Sequence, residues 1–303
     1  MSIRLFTLAV LLALSSQGLQ AKTFREMFPN KKYEVAEAQK FVESLDYKTG
    51  TVFLDTSGVK LNVSKSFYFL ASEHAKRVII EAWGNPPTSG ENVLGMILPS
   101  DKTPADETWG AIIRFVEDGY VSDEDAAKID YTDLLKGMQE SVTQASAERA
   151  KEGFESIRLV GWASPPYYDK DTHKLHWAKE VEFGGAQPHT LNYDIRALGR
   201  KGVLSINFVA GMNDLSVIKK DVIPAVLAMP EFTSGFRYEE YVPGVDKIAA
   251  YGIGGLIAGK VLSKVGLLAI ALVFLKKGWI VIVLALGALW KVGMRFIRRP
   301  PEA

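Results

Sequence analysis

Polar side chains at alternate positions of one predicted strand form the clearest candidate for a chemical site. Asn192, Asp194 and Arg196 share one face of that strand, because successive side chains of a strand point to opposite faces. With His176 from the preceding strand they make a candidate polar cluster, which is a structural ion pair, a solvated sheet face or a pocket for hydrolase or transferase chemistry. Ser205, His176 and Asp194 also allow a Ser–His–Asp set, but no GxSxG motif supports it.

Aromatic residues near the same strands offer a second candidate site. Trp162, Tyr168 and Trp177 form a candidate aromatic pocket, with core packing as the alternative. His173 and His176 are three residues apart at the start of a strand, so they are expected to face opposite sides, which disfavours a shared metal. The sequence contains no cysteine, which excludes disulfides, thiolate zinc ligands and thiol catalysis. No catalytic residue, metal or cofactor is therefore predicted.

The elements that must position these residues follow from hydrophobic periodicity. Strands are predicted over residues 51–54, 59–63, 67–70, 93–98, 109–116, 156–162, 174–183, 191–198 and 203–210. Helices are predicted over residues 32–45, 72–83, 131–152 and 215–229. Pro165 and Pro166 are expected to end one strand, and Pro224 to kink or split the last helix. The fold class is therefore predicted as α+β, an antiparallel sheet covered by helices and followed by C-terminal membrane helices.

An acidic segment over residues 117–130 precedes the longest predicted helix. It lacks the twelve-residue pattern of alternating ligands that a calcium-binding loop requires. Ser122 with Asp125 instead has the spacing of a helix N-cap arrangement, which favours capping and solvation over calcium binding.

Both ends of the chain carry features that indicate a membrane protein. Residues 1–21 resemble a secretory signal peptide, with an uncleaved anchor as the alternative. Residues 244–303 are predicted to form a membrane anchor and basic tail, with one span within residues 267–297. The Gly-rich helix before that span is interfacial, re-entrant or a second span. Its small residues recur every four positions, including Gly255 and Gly259, a spacing that permits helix packing and self-association.

A periplasmic α+β domain is predicted over residues 22–243, as one unit or as subdomains over 22–152 and 153–243. Basic residues after the last apolar run predict a cytoplasmic C-terminus, and therefore an inner-membrane protein with its large N-terminal domain in the periplasm. The net charge is +1, but the tail is strongly basic and the domain mildly acidic, which disfavours nucleic-acid binding. The expected partners are the membrane and either a protein or a second copy through the Gly-rich helix.

Short segments distributed along the chain resemble one known family. They are Trp83–Pro87, Asp118–Val121, Asp125–Ala126, Asp130–Tyr131, Gly161–Trp162, Pro166–Asp169, His176–Lys179, Leu191–Tyr193, Ile195–Arg200 with Gly202, Asp246–Lys247 and Ala249–Gly252. Together they are similar to the bacterial membrane-anchored proteins of the DUF2167 family, over nearly the whole mature chain. This resemblance implies an envelope protein and brings no reaction, cofactor or catalytic residue. The order of the last strands and helix is also similar to a Mog1/PsbP-like sandwich.

Two classes of function fit these observations. The first is a non-catalytic, membrane-anchored envelope protein that takes part in protein interaction, envelope sensing or a membrane complex as an accessory. The alternative is a periplasmic hydrolase or transferase that uses the polar cluster. The lack of any catalytic motif favours the first class.

Overall fold

The computed structural model describes residues 20–54 and 57–259. Most of the predicted signal peptide (1–21) and most of the predicted membrane anchor (244–303) therefore lie outside the described residues. The chain divides into two compact units after Ile253. Within the described ranges, no helix combines the length and the apolar character that crossing a membrane requires.

Strands and helices alternate irregularly along the first unit. The strands are β1 (Gln20–Lys22), β2 (Tyr47–Leu54), β3 (Val59–Val63), β4 (Phe67–Ala71), β5 (Val93–Pro99), β6 (Gly110–Val116), β7 (Ile157–Asp169), β8 (Lys174–Phe183), β9 (Thr190–Leu198), β10 (Val203–Gly211) and β11 (Pro230–Phe232). The helices are α1 (Phe24–Met27), α2 (Ala36–Glu43), α3 (Ser72–Arg77), α4 (Tyr131–Lys151), α5 (Leu215–Val217), α6 (Ile223–Leu227) and, at the boundary between the units, α7 (Ile253–Ala258). Turns of π-helix follow α3 (Val78–Ala82) and join α5 to α6 (Ile218–Val222).

The described strands form one antiparallel sheet in the order β11-β3-β2-β4-β5-β6-β10-β9-β8-β7, and β1 pairs with β2 beside this path. At its centre, β6 pairs with β10 from Val116 opposite Val203 to Gly110 opposite Val209. Because β6 comes from the first suggested subdomain and β10 from the second, the sheet passes through both. The predicted α+β class, with an antiparallel sheet and helices, is confirmed.

Each face of the sheet carries a hydrophobic core, because neighbouring residues of a strand point to opposite sides. In β4, Phe67 and Phe69 enter the first core, whereas Tyr68 and Leu70 enter the second. The α5–α6 region covers the first core through Ile218, Ile223 and Val226. Helices α1, α2 and α3 cover the second core through Phe24, Val42 and Ala75. The helices therefore lie on both sides of the sheet.

β7 continues through Pro165 and Pro166, where the sequence predicted that it would end. The strand lies at the edge of the sheet and pairs only with β8. Its register shifts three times, including between Ser164 and Tyr167. Proline lacks an N–H donor, but an edge strand at a register shift has no second neighbour that needs one. The prolines are therefore accommodated within the strand.

Two helix predictions have different outcomes. The helix predicted over residues 215–229 is split as expected, and Pro224 lies in the first turn of α6, where a missing N–H costs little. The Ser122–Asp125 arrangement lies too far before α4 to cap it. Asp130, not Ser122 with Asp125, caps this helix, because its carboxylate accepts two backbone N–H groups of the first turn.

Gly95 in β5 lies where the sheet packs closely against the first core, so substitution at this position tests that packing. A Cβ atom at this position would lie 2.1 Å from the Phe69 ring and 2.6 Å from the Leu70 carbonyl oxygen. We expect Gly95→Ala to lower the free energy of unfolding by about 1–3 kcal/mol, as overpacking does. Gly161→Ala is the matched control, because nothing lies within 4 Å of its added Cβ. Equal midpoints for the two variants in urea unfolding would contradict the packing described here.

Candidate functional site

β9 places Asp194 in the interior of the domain, where 2% of the residue is exposed. The Lys179 ammonium lies 2.8 Å from its Oδ2 atom, and a guanidinium nitrogen of Arg196 lies 3.2 Å from its Oδ1 atom. The side-chain amide of Asn207 donates a hydrogen bond to Oδ1 at 3.1 Å. The Lys179 contact is an ion pair without the alignment of a good hydrogen bond. Asp194 is thus the centre of a buried ion cluster.

The registers of three strands assemble this cluster. Asp194 lies opposite Trp177 of β8 and opposite Asn207 of β10, and paired residues share a face of the sheet. Lys179 lies two residues after Trp177, on the same face. The Arg196 guanidinium carbon lies 5.0 Å from the centre of the buried Trp177 ring, a cation–π distance. Arg196 therefore contacts both Trp177 and the Asp194 carboxylate, and Lys179 contacts the same carboxylate.

The surrounding charges keep Asp194 ionised. Burial by itself raises the pKa of Asp194, but the charges of Lys179 and Arg196, together with the hydrogen bond from Asn207, bring that pKa below its ordinary value. Burial and repulsion from Arg196 lower the pKa of Arg114 on β6. A carboxylate that stays ionised and is already occupied by donors is poorly suited to accept a proton near neutral pH. The arrangement is that of a structural ion network.

β8 turns His176 away from Asp194. His176 lies opposite Ile195, whereas Asp194 lies opposite Trp177, so the imidazole and the carboxylate are on different faces of the sheet. Burial lowers the pKa of His176, which favours the neutral imidazole. The prediction that His176 belongs to the polar cluster is therefore wrong, because the strand register places it on the other face of the sheet.

The other proposed members of the cluster are on the same face. Asn192 lies opposite Lys179, two residues before Asp194, and Arg196 lies two residues after it. Ser205 lies opposite Arg196 and also shares this face. A Ser–His–Asp set cannot form from these residues, because its histidine lies across the sheet.

The residues of the predicted aromatic pocket are each engaged separately. The Trp162 indole N–H donates to the Tyr131 carbonyl oxygen at 3.2 Å. The Tyr168 hydroxyl donates to Asp123 at 2.8 Å, and Trp177 lies beneath Arg196. Among the described ring contacts, none joins Trp162, Tyr168 and Trp177 to one another. Anchoring to nearby loops and packing in the core account for these contacts.

A different aromatic cluster forms at the end of the sheet near β6. Tyr120 stacks on Tyr238 and on Tyr241, with ring centres 4.5 and 4.0 Å apart. His173 lies against Tyr238 with centres 4.2 Å apart, and its Nδ1 atom lies 3.3 Å from the Tyr168 hydroxyl. Burial raises the pKa values of Tyr168 and Tyr238. No local pattern in the sequence predicted this cluster, because its members come from separate segments.

Residues 242–253, here called the C-terminal strap, lie along the loop after β6. The Tyr120 N–H donates to the Lys247 carbonyl oxygen at 2.8 Å, and the Ala249 N–H donates to the Tyr120 carbonyl oxygen at 2.8 Å. At Gly119, an added Cβ would lie 2.4 Å from the Lys247 carbonyl oxygen, so this close approach requires glycine. The strap is thus bound to the domain through its backbone.

Side chains fix the same strap along its length. The Arg200 guanidinium donates to both carboxylate oxygens of Asp246, at 2.7 and 3.0 Å. The Tyr251 hydroxyl donates to Asp118 at 2.7 Å, and Asp125 accepts the backbone N–H of Ile253 at 2.9 Å. Paired bonds from one guanidinium to one carboxylate fix orientation as well as distance. Asp118 and Asp125 belong to the acidic segment over residues 117–130, and this segment therefore binds the strap.

A cleft of about 630 Å³ opens where β9 begins and β10 ends. Its lining includes Trp83, Asn85, Arg149, Phe154, His189 and Gly211. His189 Nδ1 lies 2.5 Å from a Glu180 carboxylate oxygen, and its Nε2 lies 3.6 Å from Glu182. In the described part of the chain, no three acidic or histidine side chains are grouped to hold a metal ion. Sequence reasoning missed this cleft, because its lining comes from distant turns.

The fold and the site define an α+β domain with a closed ion cluster on one sheet face. The chain belongs to the DUF2167 family, described as a protein family of unknown function, whose model matches residues 46–287. No curated protein matches the chain. The family predicted from the short segments is thereby confirmed. Several of those segments meet at the strap, namely Asp118–Val121, Asp125–Ala126, Asp246–Lys247 and Ala249–Gly252.

One solved structure is similar to this chain in part. It is the solution structure of cyanobacterial PsbP (CyanoP) from Synechocystis sp. PCC 6803, with 12% identity and a TM-score of 0.34. The match covers 60% of this chain and 91% of the cyanobacterial chain. The PsbP protein is a distant structural neighbour, and a likeness of this degree does not imply a shared function.

Removing the charge of Asp194 should destabilise the domain. Asp194→Asn leaves the half-buried cations Lys179 and Arg196 without their buried counter-charge, and we expect the free energy of unfolding to fall by about 3–5 kcal/mol at pH 7. Because folding lowers the pKa of Asp194, this difference should persist at neutral pH and shrink as the pH falls below about 4. Urea unfolding followed by tryptophan fluorescence at several pH values measures it. Glu231→Gln, which breaks an exposed pair with Lys60, is the control and should change little; an equal loss in both variants would refute the buried-ion interpretation.

Breaking the Arg200–Asp246 pair should loosen the strap without unfolding the sheet. In Asp246→Asn, we expect faster hydrogen exchange at the backbone amides of Tyr120 and Ala249, because their bonds depend on the position of the strap. Exchange in β9 and β10 should stay unchanged. Glu148→Gln, which removes an exposed pair on α4, is the matched control. Unchanged exchange at Tyr120 and Ala249 would mean that the backbone bonds alone hold the strap.

Proposed function

We propose that this protein is a membrane-anchored envelope protein whose folded domain acts by binding a protein partner rather than by catalysis. The non-catalytic part of this proposal rests on the polar cluster, whose central carboxylate is buried away from solvent. Asp194 is 2% exposed and its carboxylate is held by Lys179, Arg196 and Asn207. A reacting group must be able to touch its substrate, and this carboxylate cannot.

The alternative of a hydrolase or transferase at this cluster needs a base beside the carboxylate and an opening to solvent. His176 lies on the other face of the sheet, and Asp194 lines none of four cavities found in the described part of the chain. The geometry therefore favours the interaction hypothesis over catalysis at this cluster.

The membrane part of the proposal rests on the sequence. An apolar, basic tail follows the strap, and the leader has the features of a secretory signal. The strap supports the proposal, because the last residues before the tail are bound to the domain by backbone and side-chain contacts. A domain anchored in this way would be held close to the bilayer, with its outer surface free to meet partners.

Topology can be tested with single cysteines, because the natural chain has none. Val217→Cys lies at a site that is 56% exposed on the domain, and Glu302→Cys lies in the basic tail. In intact spheroplasts, we expect a membrane-impermeant maleimide to label position 217 at once and position 302 only after permeabilisation. The protein should remain in the membrane after carbonate washing. Labelling of position 302 but not 217 in intact spheroplasts would reverse the proposed orientation.

The interaction part can be tested by photocrosslinking in living cells. Phe53 and Tyr167 are exposed aromatic residues, 66% and 65% accessible, on strands β2 and β7. A benzoylphenylalanine at either site should give one discrete adduct of constant mass if that surface meets a partner. The same substitution at the buried Phe208 is the control and should give none. The absence of any adduct from both exposed sites would count against a partner at these surfaces.

A further inference from the structure

Exposed apolar side chains are concentrated in the strap. Val242, Val245 and Ile248 are 41%, 75% and 57% exposed, all within seven consecutive residues. The other exposed large apolar residues of the described ranges are scattered, namely Val35, Phe53, Tyr167 and Val217. Single exposed apolar residues are ordinary, but a local group of them indicates a contact surface.

The strap holds these three side chains in fixed positions. The N–H groups of Val245 and Asp246 donate to the Val242 carbonyl oxygen at 3.2 and 3.1 Å, which closes a turn. Ile248 forms a parallel bridge with Tyr120. With the Arg200–Asp246 ion pair behind the turn, the apolar side chains stand on a preformed surface. A preformed surface loses little conformational entropy on binding.

Basic residues lie beside the same turn. A hollow of about 360 Å³ is lined by Val245, Arg200, Lys201 and Lys247, together with Glu117 and Asp246. Arg200 is paired with Asp246, whereas no described carboxylate forms an ion pair with Lys201 or Lys247. The Lys201 ammonium lies over the Phe236 ring, 4.4 Å from its centre. Two cations without carboxylate partners therefore adjoin the exposed apolar residues.

We propose that Val242, Val245, Ile248, Lys201 and Lys247, the junction patch, bind the surface of a lipid bilayer that carries anionic headgroups. The apolar side chains enter the headgroup region and the two lysines bind phosphate groups, as at other peripheral membrane contacts. This inference rests on the proposed membrane anchoring, because Ile248 precedes the apolar tail by only a few residues of sequence. It adds that the domain itself touches the bilayer, beyond the attachment by its tail.

Spin labels on the full-length protein in phosphatidylglycerol-containing vesicles test this contact. Val245→Cys carries the label in the junction patch. Val217→Cys is the matched control, because this exposed valine also has two nearby lysines, Lys219 and Lys220, but lies away from the strap in sequence. We expect the ratio of oxygen to nickel-chelate accessibility to be about tenfold higher at position 245 than at 217, because oxygen concentrates in lipid and the chelate does not.

Charge reversal tests whether Lys201 and Lys247 contribute to the lipid contact. The double variant Lys201→Glu with Lys247→Glu should bring the label at position 245 into water, while Lys219→Glu with Lys220→Glu should leave it unchanged. Lys247→Glu alone should act in the same direction and keeps the contact of Lys201 with Phe236. Vesicles of phosphatidylcholine alone should weaken the protection in the unaltered protein.

The outcomes distinguish this inference from the proposed anchoring. If the protein resists carbonate extraction but both labels are equally open to the nickel chelate, the anchoring stands and the junction patch is refuted. If position 245 is shielded from both oxygen and the chelate, it is covered by protein, either a second copy or the tail, and the lipid contact is refuted. If the full-length protein does not associate with vesicles at all, both proposals fail.

Discussion

Pairing between β6 and β10 is the interaction on which the rest of the structure depends. It joins the strands that come before α4 to β7, β8, β9 and β10, which come after it. Through it, Ile112 of the second core lies beside Asn207, and Asn207 lies beside Asp194. The same pairing continues the first core across the sheet through Ile113 and Ile206. Without this central pairing, the first core would not extend from β6 to β10.

The cost of burying Asp194 explains why its surroundings are so specific. A buried carboxylate is tolerated only when cations and donors replace its water, and Lys179, Arg196 and Asn207 do so from three strands. A slip of β8 by one residue would turn Lys179 to the opposite face. We interpret the cluster as a device that fixes the register of these strands, which is a structural role that needs no substrate.

Accessible features lie elsewhere on the molecule. The strap presents apolar and basic side chains where the chain leaves the first unit, and the cleft beside His189 lies where β9 begins and β10 ends. Tyr120 links the strap to the aromatic cluster through its backbone and its ring. The sheet therefore supports peripheral loops and clefts, the places where functional residues commonly lie on a rigid scaffold.

Local pattern in the sequence determined nine of the eleven described strands, the α+β class and the shared face of Asn192, Asp194 and Arg196, because alternation and turn residues act over short distances. The missing cysteines and the apolar tail are also properties of the sequence itself. Only the tertiary structure decided that Lys179 meets Asp194, that His176 does not, and that the strap returns to Tyr120. Those contacts depend on register between strands and on segments far apart in the chain, which local periodicity does not specify.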